Sequence, residues 1–306
     1  MLSSVRHEPL WVPIVRAIVS RVPRGKYAIV SHWRPRTGEF VARLAGDLGG
    51  AMFECDLTDV IAREVCLTGY YEPPVTRVVQ RLATRGGTVL DAGANWGYFT
   101  LLAASAVGDQ GHVIALEPDP RHFASLTRNI AMNPFAQITP LQIAAGSRDG
   151  IVTLAGYADD AENRGVSRIA DTGSVGHRFD VPCTTIDRLT ASSARMDVVK
   201  IDVEGAEMDA LAGMRDGLAA ARYAAVVLEL HPGLLREHGV DPEACIGVLL
   251  AHGYRGWSID LAPRAYRSAA APDTPTQALL RPVDEWRASA WPHLLWLAPG
   301  ESLVSC

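Results

Sequence analysis

The sequence predicts an α/β protein built on a doubly wound, mostly parallel sheet. Three observations carry that expectation. From Val75 onward, helical and strand-like segments alternate at the length of βα units. Several strand candidates are continuous apolar runs without alternation, as strands covered on both faces require. The stretch VLDAGANWGYFT, residues 89–100, reads as a buried strand running into a glycine-bearing turn and then a helix.

A chain of 306 residues accommodates one large domain with an appendage. Residues 1–70 have mixed patterning and read as an N-terminal extension or cap, with a helix over Trp11–Ser20 and strand-like runs at Tyr27–His32 and Ala51–Leu57. Residues 71–306 form the main domain. Its strand candidates are Thr88–Asp91, His112–Glu117, Ile138–Ala144, Asp197–Asp202, Ala225–Leu230, Tyr254–Ile259 and Leu294–Ala298. Helix starts are marked by Asp119-Pro120 and Asp241-Pro242, an N-cap followed by proline at the first helical position. Asn133-Pro134 and Gly253 supply stops. Between the third and fourth strands, residues 145–196 form an insertion. Ile151–Leu154 and Phe179–Cys183 can pair there as a hairpin around the polar loop Asp159–Gly176, which is expected to shape the substrate side.

Composition narrows the function classes. Hydrophobic content of 48% and charged content of 21% are those of an ordinary globular protein, and a net charge of -5 offers no general attraction to phosphate polymers or acidic lipid. Nucleic acid and membrane are therefore not expected as partners. The basic residues are almost all arginine, with Lys26 and Lys200 the only lysines. Cys55, Cys66, Cys183, Cys245 and Cys306 are odd in number and scattered, which points to a reducing compartment and no structural metal. The apolar stretch Leu10–Val19 is broken by Pro13 and Arg16 and is too short to span a bilayer, so the protein reads as cytoplasmic.

Open parallel sheets bind ligands beyond the carboxyl ends of their strands, near the reversal of strand order. The turn Gly93-Ala94-Asn95-Trp96-Gly97 is expected there, with glycines leaving main chain accessible and a helix amino end behind them. A pyrophosphate-binding turn wants Gly-x-Gly-x-x-Gly, and here alanine and tryptophan occupy positions where that pattern needs space. Glu117, followed by Pro118 at the end of the second strand, can accept hydrogen bonds from both hydroxyls of a ribose, and Asp91 adds a second carboxylate. Such an acidic pocket suits a cationic nucleoside such as S-adenosylmethionine better than a diphosphate.

Read with the Asp91–Gly97 turn, Glu117-Pro118, Thr185-Ile186-Asp187 and Leu228-Glu229-Leu230-His231, the run Val199-Lys200-Ile201-Asp202-Val203-Glu204-Gly205-Ala206-Glu207 resembles the FkbM family of S-adenosylmethionine-dependent methyltransferases. Gly69-Tyr70-Tyr71-Glu72-Pro73 is similar to part of the same pattern, and the resemblance extends from about Asp59 to about Pro299. It implies a seven-stranded class I methyltransferase (Rossmann-like) sheet whose last strand is antiparallel. It also implies O-methylation of a small hydroxylated acceptor: a sugar, a polyketide or another natural product. Carried over residue by residue, the cofactor contacts are Tyr71, Glu72, Asp91, Gly93, Ala94, Asn95, Gly97, Glu117 and Pro118, with Ala144 and Ala145 near the adenine and Asp202 facing the methionine end. Trp96 departs from the small or aliphatic residue usual in that turn.

Methyl transfer to an alcohol requires the acceptor oxygen to be held in line with the sulfonium methyl and its proton to be removed. Asp202, Glu204 and Glu207 follow the fourth strand; Glu229 and His231, two apart, can share one side of the fifth. His231 is the first candidate for the base because imidazole titrates near neutral pH, and Asp202 the second. Glu204 and Glu207 can instead favour a helix amino end, and Lys200 can neutralise a neighbouring carboxylate. Asp202, Glu204 and Glu229 could hold Mg²⁺, although the resemblance does not demand a metal. Two other classes stay open. A nicotinamide-dependent oxidoreductase would want a third glycine in the turn, and a catalytically silent methyltransferase-like module would bind without turnover. Neither the acceptor's identity nor the oligomeric state is legible in the sequence.

Overall fold

Short runs of valine, isoleucine and leucine build the central sheet because their side chains can be covered on both faces. In this computed structural model the described residues are 8–22, 30, 39–44, 50–156, 168–169, 177–269, 271 and 273–303. The N-terminal part contains α1 (Trp11–Arg21), the paired strands β1 (Phe40–Arg43) and β2 (Met52–Cys55), α2 (Val60–Thr68) and α3 (Pro73–Leu82). There follow β3 (Thr88–Ala92), α4 (Tyr98–Val107), β4 (His112–Leu116), α5 (Pro120–Ala131) and β5 (Ile138–Leu141). The insertion contributes β6 (Ala144–Ala145), β7 (Gly150–Ala155), β8 (Arg168–Ile169) and β9 (Arg178–Thr184). The chain then runs through α6 (Ile186–Leu189), β10 (Met196–Ile201), α7 (Glu207–Ala212), α8 (Arg215–Ala219) and β11 (Tyr223–Glu229). It closes with α9 (Pro232–Glu237), α10 (Pro242–Ala251), β12 (Arg255–Ile259), α11 (Pro263–Ala269), β13 (Leu280–Pro282) and β14 (His293–Leu297).

The main sheet has the order β13-β12-β14-β11-β10-β3-β4-β5. Strands β11, β10, β3, β4 and β5 are mutually parallel, while β14 runs antiparallel to both β11 and β12. The expected antiparallel last strand is therefore present. One strand more than the expected seven appears, because Leu280–Pro282 pairs antiparallel with β12 at the edge. The chain enters at β3, moves outward to β5 and returns at β10 on the other side of β3, so the carboxyl ends of β3 and β10 flank the switch point.

Successive strand residues feed two separate cores. Val89, Val198, Val227 and Leu295 join one apolar cluster, whereas their neighbours Leu90, Val199, Leu228 and Trp296 join the other. Helices cover both faces and start where the sequence signals: Asp119 caps α5 by accepting from the Arg121 amide, and Asp241 caps α10 by accepting from the Glu243 amide.

Three expectations change. The run Ile138–Ala144 does not stay in one sheet: β5 ends at Leu141, and Ala144–Ala145 pair in parallel with Cys183–Thr184. The Ile151–Leu154 and Phe179–Cys183 hairpin forms, but within a four-stranded sheet of order β6-β9-β7-β8. The cysteines are not all unpaired, since Cys55 and Cys66 form a disulfide between β2 and α2, with Cα atoms 6.2 Å apart. Sequence spacing could not reveal this, because eleven residues and a helix start separate the two sulfurs. Apart from Val30, the expected strand at Tyr27–His32 lies outside the described residues, as does most of the Asp159–Gly176 loop.

The N-terminal segment is integrated with the sheet domain. Phe53, Cys55, Leu57 and Val65 belong to the same buried cluster as Val89 and Leu101. The amides of Met52 and Glu54 donate to Asn133 Oδ1 at 2.8 Å and Asn129 Oδ1 at 2.7 Å, docking β2 on and beyond the end of α5. Among the described residues, no helix is long and apolar enough to cross a membrane.

Candidate active site

At the switch point the structure has a cavity of about 760 Å³, walled by the turn after β3, the ends of β4, β10 and β11, the start of β14, the second sheet, and Phe53 and Ile61 from the N-terminal segment. Its first wall is a consequence of two glycines. Gly93 has φ +83°, and a Cβ there would fall 1.8 Å from the Asp202 carbonyl oxygen, so only glycine lets the turn rest on the end of β10. The amides of Gly93 and Ala94 both donate to the Leu116 carbonyl at 2.9 Å, bending the turn over β4. Gly97, with φ +92°, starts α4 and would push a Cβ to 2.6 Å from Leu126 Cδ1.

Glu117 links this turn to the next helix. Its Oε2 accepts from the Asn95 amide at 2.7 Å and its Oε1 from the Asp119 amide at 2.8 Å. Each oxygen has capacity for a further hydrogen bond, and Glu117 and Pro118 line the cavity. Burial pushes its carboxyl up to about 8, against the two amide hydrogen bonds, which favour the charged form. Ala144 and Ala145, on β6, line the same end.

Two expected contacts stand behind the wall. Asp91 is buried, with Oδ2 accepting from Thr100 Oγ1 at 2.7 Å, and does not line the cavity. Burial raises its carboxyl, opposed by the nearby Lys200 ammonium. Gly97 also lies behind, as a packing position for Leu126.

The floor is a cluster of carboxylates and imidazoles gathered from four chain segments. Lys200 Nζ sits 3.0 Å from Asp202 Oδ2 and 4.7 Å from the centroid of the Phe99 ring. Burial opposes the charge on each, yet the attraction between them wins, raising the ammonium and lowering the Asp202 carboxyl. Beside them, His231 Nδ1 lies 2.6 Å from Glu207 Oε1, while its Nε2 lies 3.1 Å from Glu204 Oε2 and 3.5 Å from Glu229 Oε1. Burial disfavours the imidazolium, but the Glu207 hydrogen bond and the Glu204, Glu229 and Asp202 charges outweigh it and push His231 up to about 10. Its surroundings therefore favour the imidazolium over the neutral ring, unlike those of an ordinary imidazole. Burial lifts Glu204 to about 8, opposed by the His231 charge and assisted by the neighbouring carboxylates.

Tyr71 and Glu72 complete the floor from the side. Tyr71 packs edge-on against Tyr98 and Phe99, at centroid distances of 6.1 and 6.3 Å. Glu72 precedes Pro73 and takes φ 43°, a left-handed conformation shared by two other cavity residues, Asn95 at φ 51° and Glu204 at φ 47°. Such conformations in side-chain-bearing residues gather where a site dictates the backbone.

Of the residues singled out in the sequence, His231, Asp202, Glu204, Glu229, Tyr71, Glu72, Gly93, Ala94, Asn95, Glu117, Pro118, Ala144 and Ala145 all line this one cavity. His293 was missed. It is buried on β14, opposite Glu229 in the antiparallel register, with Nε2 2.9 Å from Glu229 Oε2 and 3.0 Å from Glu72 Oε2. The signal lay in the expected antiparallel last strand, whose first residue must meet the last residue of the fifth. Glu207, which the sequence left between a site role and a helix start, serves both: it opens α7 and holds His231.

Comparisons with known proteins bear on the family. The family model described as "Methyltransferase FkbM domain" matches residues 91–255, more than half of the chain. A hexuronic acid methyltransferase, AglP, from Haloferax volcanii is 27% identical over 212 residues, covering 68% of this chain and 80% of that protein. Methyltransferase 1 of Beauveria bassiana is 29% identical over 146 residues, covering 42% of this chain and 58% of its own length. Among solved structures, an FkbM methyltransferase from Methylobacillus flagellatus KT aligns with a TM-score of 0.41 at 15% identity, over 94% of this chain and 60% of that one. With the sheet order, the glycine turn and the acidic floor in place, the family match settles the affiliation: the chain belongs to the FkbM-domain methyltransferases.

Proposed function

We propose that the protein transfers a methyl group from S-adenosylmethionine to a hydroxyl of a sugar or related natural product. The observation that carries this reading is the division of one cavity into two chemically distinct ends. At one end, Glu117 offers a lone pair on each oxygen beside the main chain of Gly93–Asn95, a combination suited to a ribose without phosphate. At the other, Asp202 and its neighbours offer negative charge to an ammonium and a sulfonium. Pro118, Ala144 and Ala145, at the Glu117 end, would flank the adenine beyond the ribose.

The proton acceptor in this reading is the His231–Glu204 pair, whose Nε2 and Oε2 are 3.1 Å apart. Glu207 fixes the ring from its other nitrogen, so Nε2 is the atom presented to the cavity. The carboxylates that surround His231 favour its cationic form. A sulfonium entering beside those carboxylates disfavours the imidazolium, and binding of the donor thereby converts the ring toward its basic form. An attacked hydroxyl becomes strongly acidic as the carbon–oxygen bond forms, so a base of this strength suffices. Lys200 leaves Asp202 a weaker base and suits it to charge recognition instead.

The acceptor side is supported by exposed Trp291, which lines the cavity mouth and offers a face for a sugar ring, and by the relative named for hexuronic acid methylation. The test is calorimetry with S-adenosylmethionine and with NAD, followed by assay of S-adenosylhomocysteine release over hexuronic-acid and neutral sugar glycosides. S-adenosylmethionine should bind and NAD should not. His231→Ala should retain donor binding and lose about 10²–10⁴-fold in turnover. Binding of NAD alone sinks the reading, and full turnover by His231→Ala removes the assigned base.

A further inference from the structure

We infer that Glu72, Glu229 and His293 form a binding site for one divalent first-row transition ion at the floor of the cavity. Each supplies one donor, and His293 Nε2, Glu72 Oε2 and Glu229 Oε2 converge within 4.8 Å of one another. His293 is 2% exposed, and neither its Nε2 nor Glu72 Oε2 makes a hydrogen bond, although they lie only 3.0 Å apart. Close approach without hydrogen-bond alignment leaves these two buried atoms able to share an ion. Two donors about 2.1 Å from one ion lie about 3–3.4 Å apart for angles from octahedral to tetrahedral. The observed separations of 2.9 and 3.0 Å match that spacing.

A second candidate trio, Asp202, Glu229 and His231, is already satisfied within the protein. Lys200 holds Asp202, while Glu207 and Glu204 hold the two nitrogens of His231. Charge points the same way. Five carboxylates, Glu72, Asp202, Glu204, Glu207 and Glu229, face three groups able to be cationic, Lys200, His231 and His293. The surplus is negative even with both imidazoles charged, and a divalent ion would balance it. One imidazole nitrogen among the donors favours Zn²⁺, Co²⁺ or Mn²⁺ over Mg²⁺, which prefers an all-oxygen shell. If the methyl-transfer reading holds, a hydroxyl ligated on the cavity side of the ion would have its pKa lowered.

The test uses the full chain, stripped with a chelator and titrated with Zn²⁺ and separately with Mg²⁺ by calorimetry, with no methyl donor present. Failure therefore leaves the methyl-transfer reading untouched. One Zn²⁺ per chain is expected, with no Mg²⁺ heat at the same concentrations. Glu72→Gln and His293→Ala should each weaken Zn²⁺ binding at least ~10-fold, whereas His112→Ala, an exposed histidine on β4, should not. Should His293→Ala fail to fold by circular dichroism, Glu72→Gln carries the comparison alone. Absence of stoichiometric Zn²⁺ binding, or binding indifferent to these substitutions, overturns the assignment.

Discussion

Replacing Gly93 with alanine tests the physical basis of the cavity more sharply than any polar substitution. Its φ of +83° costs a residue with a side chain about 1–2 kcal/mol. The added Cβ would also meet the Asp202 carbonyl oxygen at 1.8 Å, and relief to 3.0 Å needs a separation of about 1.2 Å. Neither side can yield freely: the Gly93 amide is bound to Leu116 at 2.9 Å, and the Asp202 amide to Ala92 at 3.0 Å. Losing one of these buried bonds adds about 1–3 kcal/mol. The expected total is roughly 2–5 kcal/mol, which for a chain of this size lowers Tm by about 3–8 °C. Because the same displacement separates the turn from Asp202, S-adenosylmethionine binding should fall at least ~100-fold at a temperature where the variant is folded. The assay is differential scanning calorimetry paired with isothermal titration. Gly97→Ala is the control, because its Cβ would meet only the tip of the flexible Leu126 side chain, at 2.6 Å, and the effect on ligand binding should be much smaller. A Gly93→Ala protein that melts within 2 °C of the parent and binds the nucleoside normally would refute the reasoning.

Two further outcomes follow from the site. Glu117 has a folded-state pKa of about 8, above its ordinary 4.5, so its contribution to stability is full below pH 4.5 and is lost as the pH rises through 8. Glu117→Gln should flatten the decline of Tm across that window and weaken S-adenosylmethionine binding about 10-fold or more; an unchanged pH profile would show that the buried carboxyl is not what titrates there. Trp291 is 64% exposed at the cavity mouth, so Trp291→Ala should leave stability within about 0.5 kcal/mol. In the glycoside assay it should raise the acceptor KM several-fold while leaving donor affinity intact, and an unchanged KM would remove Trp291 from acceptor binding.

The sheet was readable because its signals are local. Continuous runs such as Ala224–Leu228 and caps such as Asp119-Pro120 depend on neighbours in sequence, and the structure keeps them. The candidate site was readable where residues follow strands directly, as Asp202, Glu204, Glu229 and His231 do. What the sequence could not supply were the relations across strands. His293 meets Glu229 only through antiparallel register, and Cys55 meets Cys66 only after a helix folds back on a hairpin. Asp91 was expected in the cavity because it ends a strand; side-chain direction at that position takes it inward to Thr100 instead. His231 was expected to titrate near neutrality, a property of the isolated ring that four surrounding carboxylates change.

Strand β14 runs against its neighbours, and that reversal governs when the pocket can exist. The parallel strands deliver their closing residues to the ligand-binding rim, whereas β14 delivers its opening residue, His293, to the same rim between β11 and β12. A nascent chain that has emerged only as far as β12 has most of its sheet but an unfinished floor, with Glu72 and Glu229 facing each other without the imidazole between them. Completion of the binding chamber thus waits for β14 to emerge.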